Sequence, residues 1–194
     1  MKQLLSLMLL LVLAMPQAFA QDEVADSPEA SNNPRVTIHT SMGDIQLELF
    51  PEKAPVTVAN FLQYAKDGYY NGTIFHRVIS YFMIQGGGMT PDMQPKPNRD
   101  PIVNEADNGL KNTRGTIAMA RTGEVNSATS QFYINVEVNG SLDHTGTENS
   151  RTWGYAVFGK VIQGMDVVDE IRFVEVVNDV PVTPVIIESV VIEE

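Results

Sequence analysis

Residues 74–88 read Ile74-Phe75-His76-Arg77-Val78-Ile79-Ser80-Tyr81-Phe82-Met83-Ile84-Gln85-Gly86-Gly87-Gly88. Two short runs rich in β-branched and aromatic residues, 74–79 and 81–85, flank a single serine, and three glycines close the second. Runs of this kind read as paired strands. On strict alternation Phe75, Arg77 and Ile79 share one face, and Met83 and Gln85 share one face of the neighbouring strand. An arginine among Phe, Met and Gln makes a poor core residue, because an unpaired buried charge is costly. Either it is a surface arginine whose stem covers apolar groups, or it faces a ligand. No Gly-Lys-Ser/Thr follows the glycines, so they are not a phosphate-binding loop. They read as a strand end where the backbone needs room.

The same texture extends in both directions. Residues 35–40 (RVTIHT) and 44–50 (DIQLELF) alternate apolar and polar residues around a Ser41-Met42-Gly43-Asp44 turn, which predicts a hairpin. Further strand-like runs occupy 115–120, 131–136, 155–161 and 185–192. Between Ala54 and Gly68 the pattern changes: Val58, Phe61, Leu62 and Ala65 fall at i, i+3, i+4 and i+7, with Pro55 suited to the first turn and Gly68 to the position after the last. A second, shorter helix is expected over 165–171. The four prolines of 90–101 predict an irregular loop, and 139–153 a long polar one. Seven or eight short strands with two helices and no βαβ rhythm predict an all-β domain, an antiparallel barrel or sandwich. Two amphipathic helices could plug the open ends of a barrel.

Composition narrows the function classes. The chain has 194 residues, no cysteine and a formal charge of -11, with a pI near 4.6. The absence of cysteine excludes a disulfide scaffold, a Cys-ligated metal site and a thiol nucleophile. The acidity argues against nucleic acid or an anionic membrane surface as partner. Residues 1–20 (MKQLLSLMLLLVLAMPQAFA) carry a lysine, an almost unbroken apolar run from Leu4 to Ala14 and Ala18-Phe19-Ala20. This reads as a secretory signal peptide cleaved after Ala20 rather than a membrane anchor. Cleavage removes one lysine and no acid, so the charge becomes -12 (12 basic against 24 acidic residues). A single-lysine n-region with a leucine-rich core suits a bacterial periplasmic protein, with full secretion as the alternative. Residues 21–34 (QDEVADSPEASNNP) lack the apolar content to offset chain entropy and read as a disordered acidic linker. One domain then spans 35–194.

Familiar catalytic patterns are missing. His39, His76 and His144 stand far apart in sequence, and no Glu-x-x-His pair exists, so no metal site and no cofactor is expected. His39 and His76 read as core or interface residues, and His144 as solvated. There is no G-x-S-x-G elbow. The many carboxylates look like a solvated acidic surface. A lipocalin-like barrel with a ligand inside is a further reading, but Phe61, Phe75 and Phe158 are better suited to filling the interior.

Four motifs carry a resemblance. Phe75-His76-Arg77-Val78-Ile79, Phe82-Met83-Ile84-Gln85-Gly86-Gly87, Ser130-Gln131-Phe132-Tyr133-Ile134 and Val157-Phe158-Gly159-Lys160-Val161 resemble, in order and spacing, the cyclophilin family of peptidyl-prolyl cis–trans isomerases, and the likeness runs from about Arg35 to Glu194. The resemblance implies a closed eight-stranded antiparallel β-barrel capped by two α-helices, with the substrate groove on its outer wall. It implies proline-containing polypeptides as partners; a monomer is the default expectation. Carried over onto this sequence, Arg77 is the catalytic arginine, and Gln85 supports it and positions substrate backbone. Phe82, Met83, Phe132 and Leu142 line an apolar pocket for the proline ring. Gln131 joins the polar wall, and Ala120, Arg121 and Thr122 bond the substrate main chain. Since alternation sets Phe82 opposite Met83, its pocket role rests on the resemblance. Three positions depart from the pattern: Arg121 replaces the usual Asn, Tyr155 stands where many members have His and can present a hydroxyl to the pocket wall, and Ser141 stands where many have Trp. That Trp helps bind cyclosporin. The loop 144–153 is longer than usual. A proline-peptide binding module or chaperone with little turnover is the alternative, and the intact set of Arg77, Phe82, Gln85 and Phe132 favours the enzyme.

Overall fold

The computed structural model describes residues 33–193. The expected export signal, and the acidic stretch except Asn33 and Pro34, lie outside the described residues. Strands β1 (Arg35–Thr40) and β2 (Gly43–Leu49) form the expected hairpin, and helix α1 spans Pro55–Lys66. Strands β3 (Thr73–Ile79), β4 (Met83–Gly86), β5 (Thr116–Met119) and β6 (Phe132–Asn135) follow. A 3₁₀ turn (Gly140–Leu142) and a four-residue helix α2 (Ser150–Trp153) interrupt the long polar loop. Then come β7 (Val157–Gln163), helix α3 (Met165–Arg172), a ribbon of β8 (Val176–Val177) and β9 (Val180–Pro181), and β10 (Ile186–Ile192).

Eight strands close into an antiparallel barrel in the order β1-β10-β3-β4-β6-β5-β7-β2, so the expected closed eight-stranded β-barrel is the observed fold. Alternation fills it. Ile38, Ile45, Leu47, Phe75, Ile84, Ile117, Phe132, Ile134 and Phe158 point inward and are fully buried. Phe61 reaches in from α1, with its ring centroid 5.2–5.6 Å from Tyr70, Phe132 and Phe158. The barrel therefore has a packed interior rather than a ligand cavity.

Helix α1 begins at Pro55 because a missing N–H costs nothing there. Its N-cap, Ala54, offers no side-chain acceptor. Glu105 supplies one from a distant loop: its carboxylate accepts from the Val56 and Thr57 amides at 3.1 and 2.8 Å. The helix stops before Gly68, whose φ of +66° suits the left-handed position.

Strand β3 departs from strict alternation. Phe75 pairs with Gly86 and Arg77 with Gln85, which leaves His76 as an extra, unopposed residue in a β-bulge. The bulge reverses the phase of the strand. Phe75 points into the barrel and Arg77 away from it, although the sequence pattern placed them on one face. Val78 then returns to the core, and Ile79 joins an apolar cluster on the outer wall.

The glycine run is the close-packed strand end that was expected. A Cβ on Gly87 (φ +81°) would lie 2.7 Å from the Phe132 ring, and one on Gly88 would lie 2.4 Å from the Gln131 side chain.

Candidate active site

The outer faces of β4, β5, β6 and β7 contribute Met83, Ala118, Tyr133 and Val157, a buried apolar cluster on the outside of the barrel wall. Phe82, Ala120, Leu142 and Tyr155 pack around it. Above the cluster lies a depression of about 100 Å³ lined by Arg77, Phe82, Met83, Gln85, Ala120, Arg121, Tyr133, Leu142 and Tyr155. That is well below the roughly 300–1,000 Å³ of a site that swallows a whole small molecule. It has room for one small side chain of a longer ligand. The depression opens on one side towards Thr122, Ser127, Thr129 and Gln131, and on the other towards Ser141, Ser150 and Arg151. Together these make a groove along the outer wall.

Eight residues singled out in the sequence thus meet at the central depression: Arg77, Phe82, Met83, Gln85, Ala120, Arg121, Leu142 and Tyr155. Thr122 and Gln131 line its extension. Phe82 and Met83 both face the site because Phe82 lies in the turn before β4, outside the strand's alternation.

Phe132 does not line the depression. It is fully buried inside the barrel, edge-on to Phe61, Tyr70 and Phe75. The aromatic residue that faces outward is Tyr133, which sequence reasoning passed over. Alternation held the signal: Gln131 and its immediate neighbour cannot share a face, whereas Gln131 and Tyr133 can.

Arg77 projects from the edge of the depression, directly opposite Gln85 in the β3–β4 register. Its side chain is 45% exposed, and its Nε lies 3.6 Å from the Asp179 carboxylate. The Gln85 amide donates to Gln131 Oε1 at 2.9 Å, so the two amides brace each other along the polar wall. His76, next to Arg77, is buried, in keeping with its reading as a core or interface residue. Burial, with the neighbouring Arg77 charge, lowers its pKa below the ordinary 6.5, so the imidazole stays neutral.

A buried amide network holds the depression's walls. The Tyr133 hydroxyl donates to Asn112 Oδ1 at 2.7 Å, and Asn135 Nδ2 donates to the same oxygen at 3.2 Å. Asn139 Nδ2 donates to Asn135 Oδ1 at 2.6 Å and to the Phe82 carbonyl at 2.8 Å. The Asn112 backbone and side-chain amides donate to Asp143 Oδ1 at 2.7 and 3.2 Å. Three elements that meet nowhere in sequence are tied by side chains whose polar groups would be costly to bury unpaired. Burial pushes the Tyr133 phenol well above its ordinary pKa, which keeps it a donor.

Arg121, expected to bond substrate main chain, lines the depression. Its side chain is also engaged. The guanidinium donates to Gly154 O (3.1 and 2.9 Å), Ser150 O (2.6 Å), Ser150 Oγ (2.8 Å) and Thr122 O (2.9 Å). It also lies 4.4 Å over the Tyr155 ring. One planar group thereby fastens the 150–155 segment to the groove. In the same segment His144, expected to be solvated, is partly buried: its Nδ1 is 2.8 Å from the Trp153 carbonyl and its ring packs edge-on to Trp153. The Trp153 indole donates to the Asn104 carbonyl at 3.4 Å.

Among the described residues no group of His, Asp and Glu is placed to hold a metal ion, and no helix is long and apolar enough to cross a membrane.

Comparison with known proteins agrees with this geometry. The family described as "Cyclophilin type peptidyl-prolyl cis-trans isomerase/CLD" matches residues 35–192. Peptidyl-prolyl cis-trans isomerase B of Escherichia coli (strain K12) is 56% identical over 164 residues, covering 82% of this chain and 99% of that protein. Peptidyl-prolyl cis-trans isomerase A of Dickeya dadantii is 53% identical over 165 residues, covering 82% of this chain and 85% of that one. A Cryptosporidium parvum cyclophilin, crystallised in the presence of the dipeptide Ala-Pro, superposes with a TM-score of 0.72 at 30% identity, over 82% of this chain and 99% of that one. The chain belongs to the cyclophilin-type peptidyl-prolyl cis–trans isomerases.

Proposed function

We propose that this isomerase accelerates X-Pro isomerisation in exported polypeptides during their folding, with Arg77 as the catalytic group. The reading rests on one observation above the others. A guanidinium stands at the rim of a small apolar depression, and no hydrogen bond joins it to another described residue.

The X-Pro bond resists rotation because nitrogen donates its lone pair into the carbonyl, a barrier of roughly 18–20 kcal/mol. Unaided exchange takes about tens to hundreds of seconds. Reaching milliseconds requires on the order of 10⁵ in rate, or about 7 kcal/mol. No bond is made or broken and no proton leaves the substrate. As the bond twists, the nitrogen becomes pyramidal and regains its lone pair. A hydrogen bond from Arg77 to that lone pair favours the twisted form over both planar forms. One charge-assisted bond contributes only about 1.5–3 kcal/mol. The remainder falls to the apolar floor of Met83, Tyr133 and Phe82, which holds the proline ring and excludes water while the acyl side turns. Gln85 and Gln131 hold the substrate main chain on the polar wall. Ala120, Arg121 and Thr122 bond it further along the groove, and Leu142 and Tyr155 close the pocket. The enzyme acts as a monomer in the periplasm, with full secretion as the alternative; the 1–20 export signal supports an extracytoplasmic site.

The test is an isomerisation assay on short X-Pro peptides with wild type and Arg77→Ala, with and without cyclosporin. Loss of one such hydrogen bond predicts a fall in kcat/KM of about 10- to 150-fold. Wild-type turnover in the variant would overturn the role of Arg77. Peptide binding without acceleration by the wild type would make the groove a binding module instead. Cell fractionation of the tagged full chain tests export.

A further inference from the structure

Strand β10 pairs with β3 only at Ile74 and Thr73. Beyond that point the free edge of β3 is covered by the chain from the β8–β9 turn to Val185. The Phe75 amide donates to Val185 O at 3.0 Å, and the Val78 amide to Asp179 O at 2.7 Å. The ribbon turns at Asn178-Asp179 with φ of +51° and +67°, the two-residue turn in which Asn and Asp are favoured. Pro181 anchors it by burial. Covering an open edge explains the ribbon's backbone contacts. It does not explain why the tip places a carboxylate 3.6 Å from Arg77 Nε. Asp179 is the one acidic residue within 4.0 Å of that guanidinium among the described residues.

We infer that Asp179 is a positioning residue for Arg77: its carboxylate holds the Nε end of the guanidinium so that the two terminal nitrogens are turned to the groove. The inference rests on the role given to Arg77 above. An arginine has several freely turning bonds, and the rotamer freedom it loses in the transition state slows the reaction. A carboxylate fixed to the same strand by a backbone hydrogen bond one residue away removes part of that freedom beforehand. Both side chains are about half exposed, 45% and 48%, so the contribution is modest and sensitive to salt.

The test is Asp179→Asn, which keeps the shape and tolerates the left-handed backbone. The expected result is a kcat lower by about two- to fivefold, the range of an exposed ion pair, with KM unchanged. The difference should shrink in about 1 M salt, where screening acts over roughly 3 Å. In an Arg77→Ala background the second substitution should change nothing further. The NMR signal of the Arg77 Nε–H gives a readout independent of turnover, with faster exchange with water expected in Asp179→Asn. Unchanged kcat, with or without faster Nε–H exchange, would overturn the inference, as would a loss of the same size in the Arg77→Ala background. If Arg77→Ala alone turned over like wild type, the role of Arg77 would fall, and that of Asp179 with it. An impaired Arg77→Ala beside a fully active Asp179→Asn would remove Asp179 only.

Discussion

Phe132 and Tyr133 are adjacent, and one step along β6 separates barrel core from candidate site. Phe132 packs edge-on to three aromatic rings, with centroids 5.6–6.1 Å away. Truncating it opens a cavity that the closed barrel cannot collapse. Phe132→Ala should lose about 3–5 kcal/mol of stability, read as a lowered denaturation midpoint. Tyr133→Phe keeps the ring on the pocket floor and removes only the bond to Asn112. That change should cost about 0.5–1.5 kcal/mol, because Asn112 Oδ1 retains its bond from Asn135. Chemical denaturation of the two variants distinguishes these cases. The identity of each aromatic was plain in the sequence. Which one faced outward followed from alternation, provided that Gln131 and not Phe132 was taken as the starting face.

At the level of elements, most strands and both longer helices were legible, because apolar period 2 and period 3.6 differ sharply and Pro55 and Gly68 punctuate α1. The β-bulge in β3 was not, since an inserted residue leaves no mark in a run in which every neighbour is compatible with a strand. Its consequence is large. Were His76 paired regularly instead of bulged, Arg77 would turn towards Phe75's side of the sheet, where an unpaired charge costs several kcal/mol. The 139–155 loop was likewise unreadable in detail, because its order comes from Arg121 and from the Asn112–Asn135–Asn139 network rather than from its own pattern. Arg121→Ala should loosen this loop and raise KM several-fold with a smaller effect on kcat, as steady-state kinetics on an X-Pro peptide would report.

Across the whole molecule, charge and burial set the response to acid. His76 titrates below its ordinary 6.5 in the folded state because it is buried. The unfolded chain thus binds the proton more tightly, and stability falls as the pH drops below about 6.5. Asp169 acts in the same sense at lower pH. Its hydrogen bond from Arg114 holds its carboxyl below the ordinary 3.8, so its contribution is present above that value and is lost as the pH falls through the lowered one. Arg172 extends the same cluster, reaching Asp169 and Glu137 at 2.9 Å and so tying α3 to the barrel wall. Melting temperature against pH should decline in two stages, and His76→Gln should abolish the upper one while leaving the lower.

The order of residues was sufficient for the strand count, the helices and the presence of a groove-facing arginine, because these rest on local periodicity and on motifs of fixed spacing. Folding in three dimensions settled which face each side chain took. The closed barrel joins strands distant in the chain, and a single bulge reverses the phase of one of them. Packing then put Phe132 inside, Tyr133 on the groove floor and Asp179 beside Arg77, 102 positions further along the chain (179 minus 77). Contacts between segments so far apart are decided by the burial of the whole domain, and no local pattern encodes them.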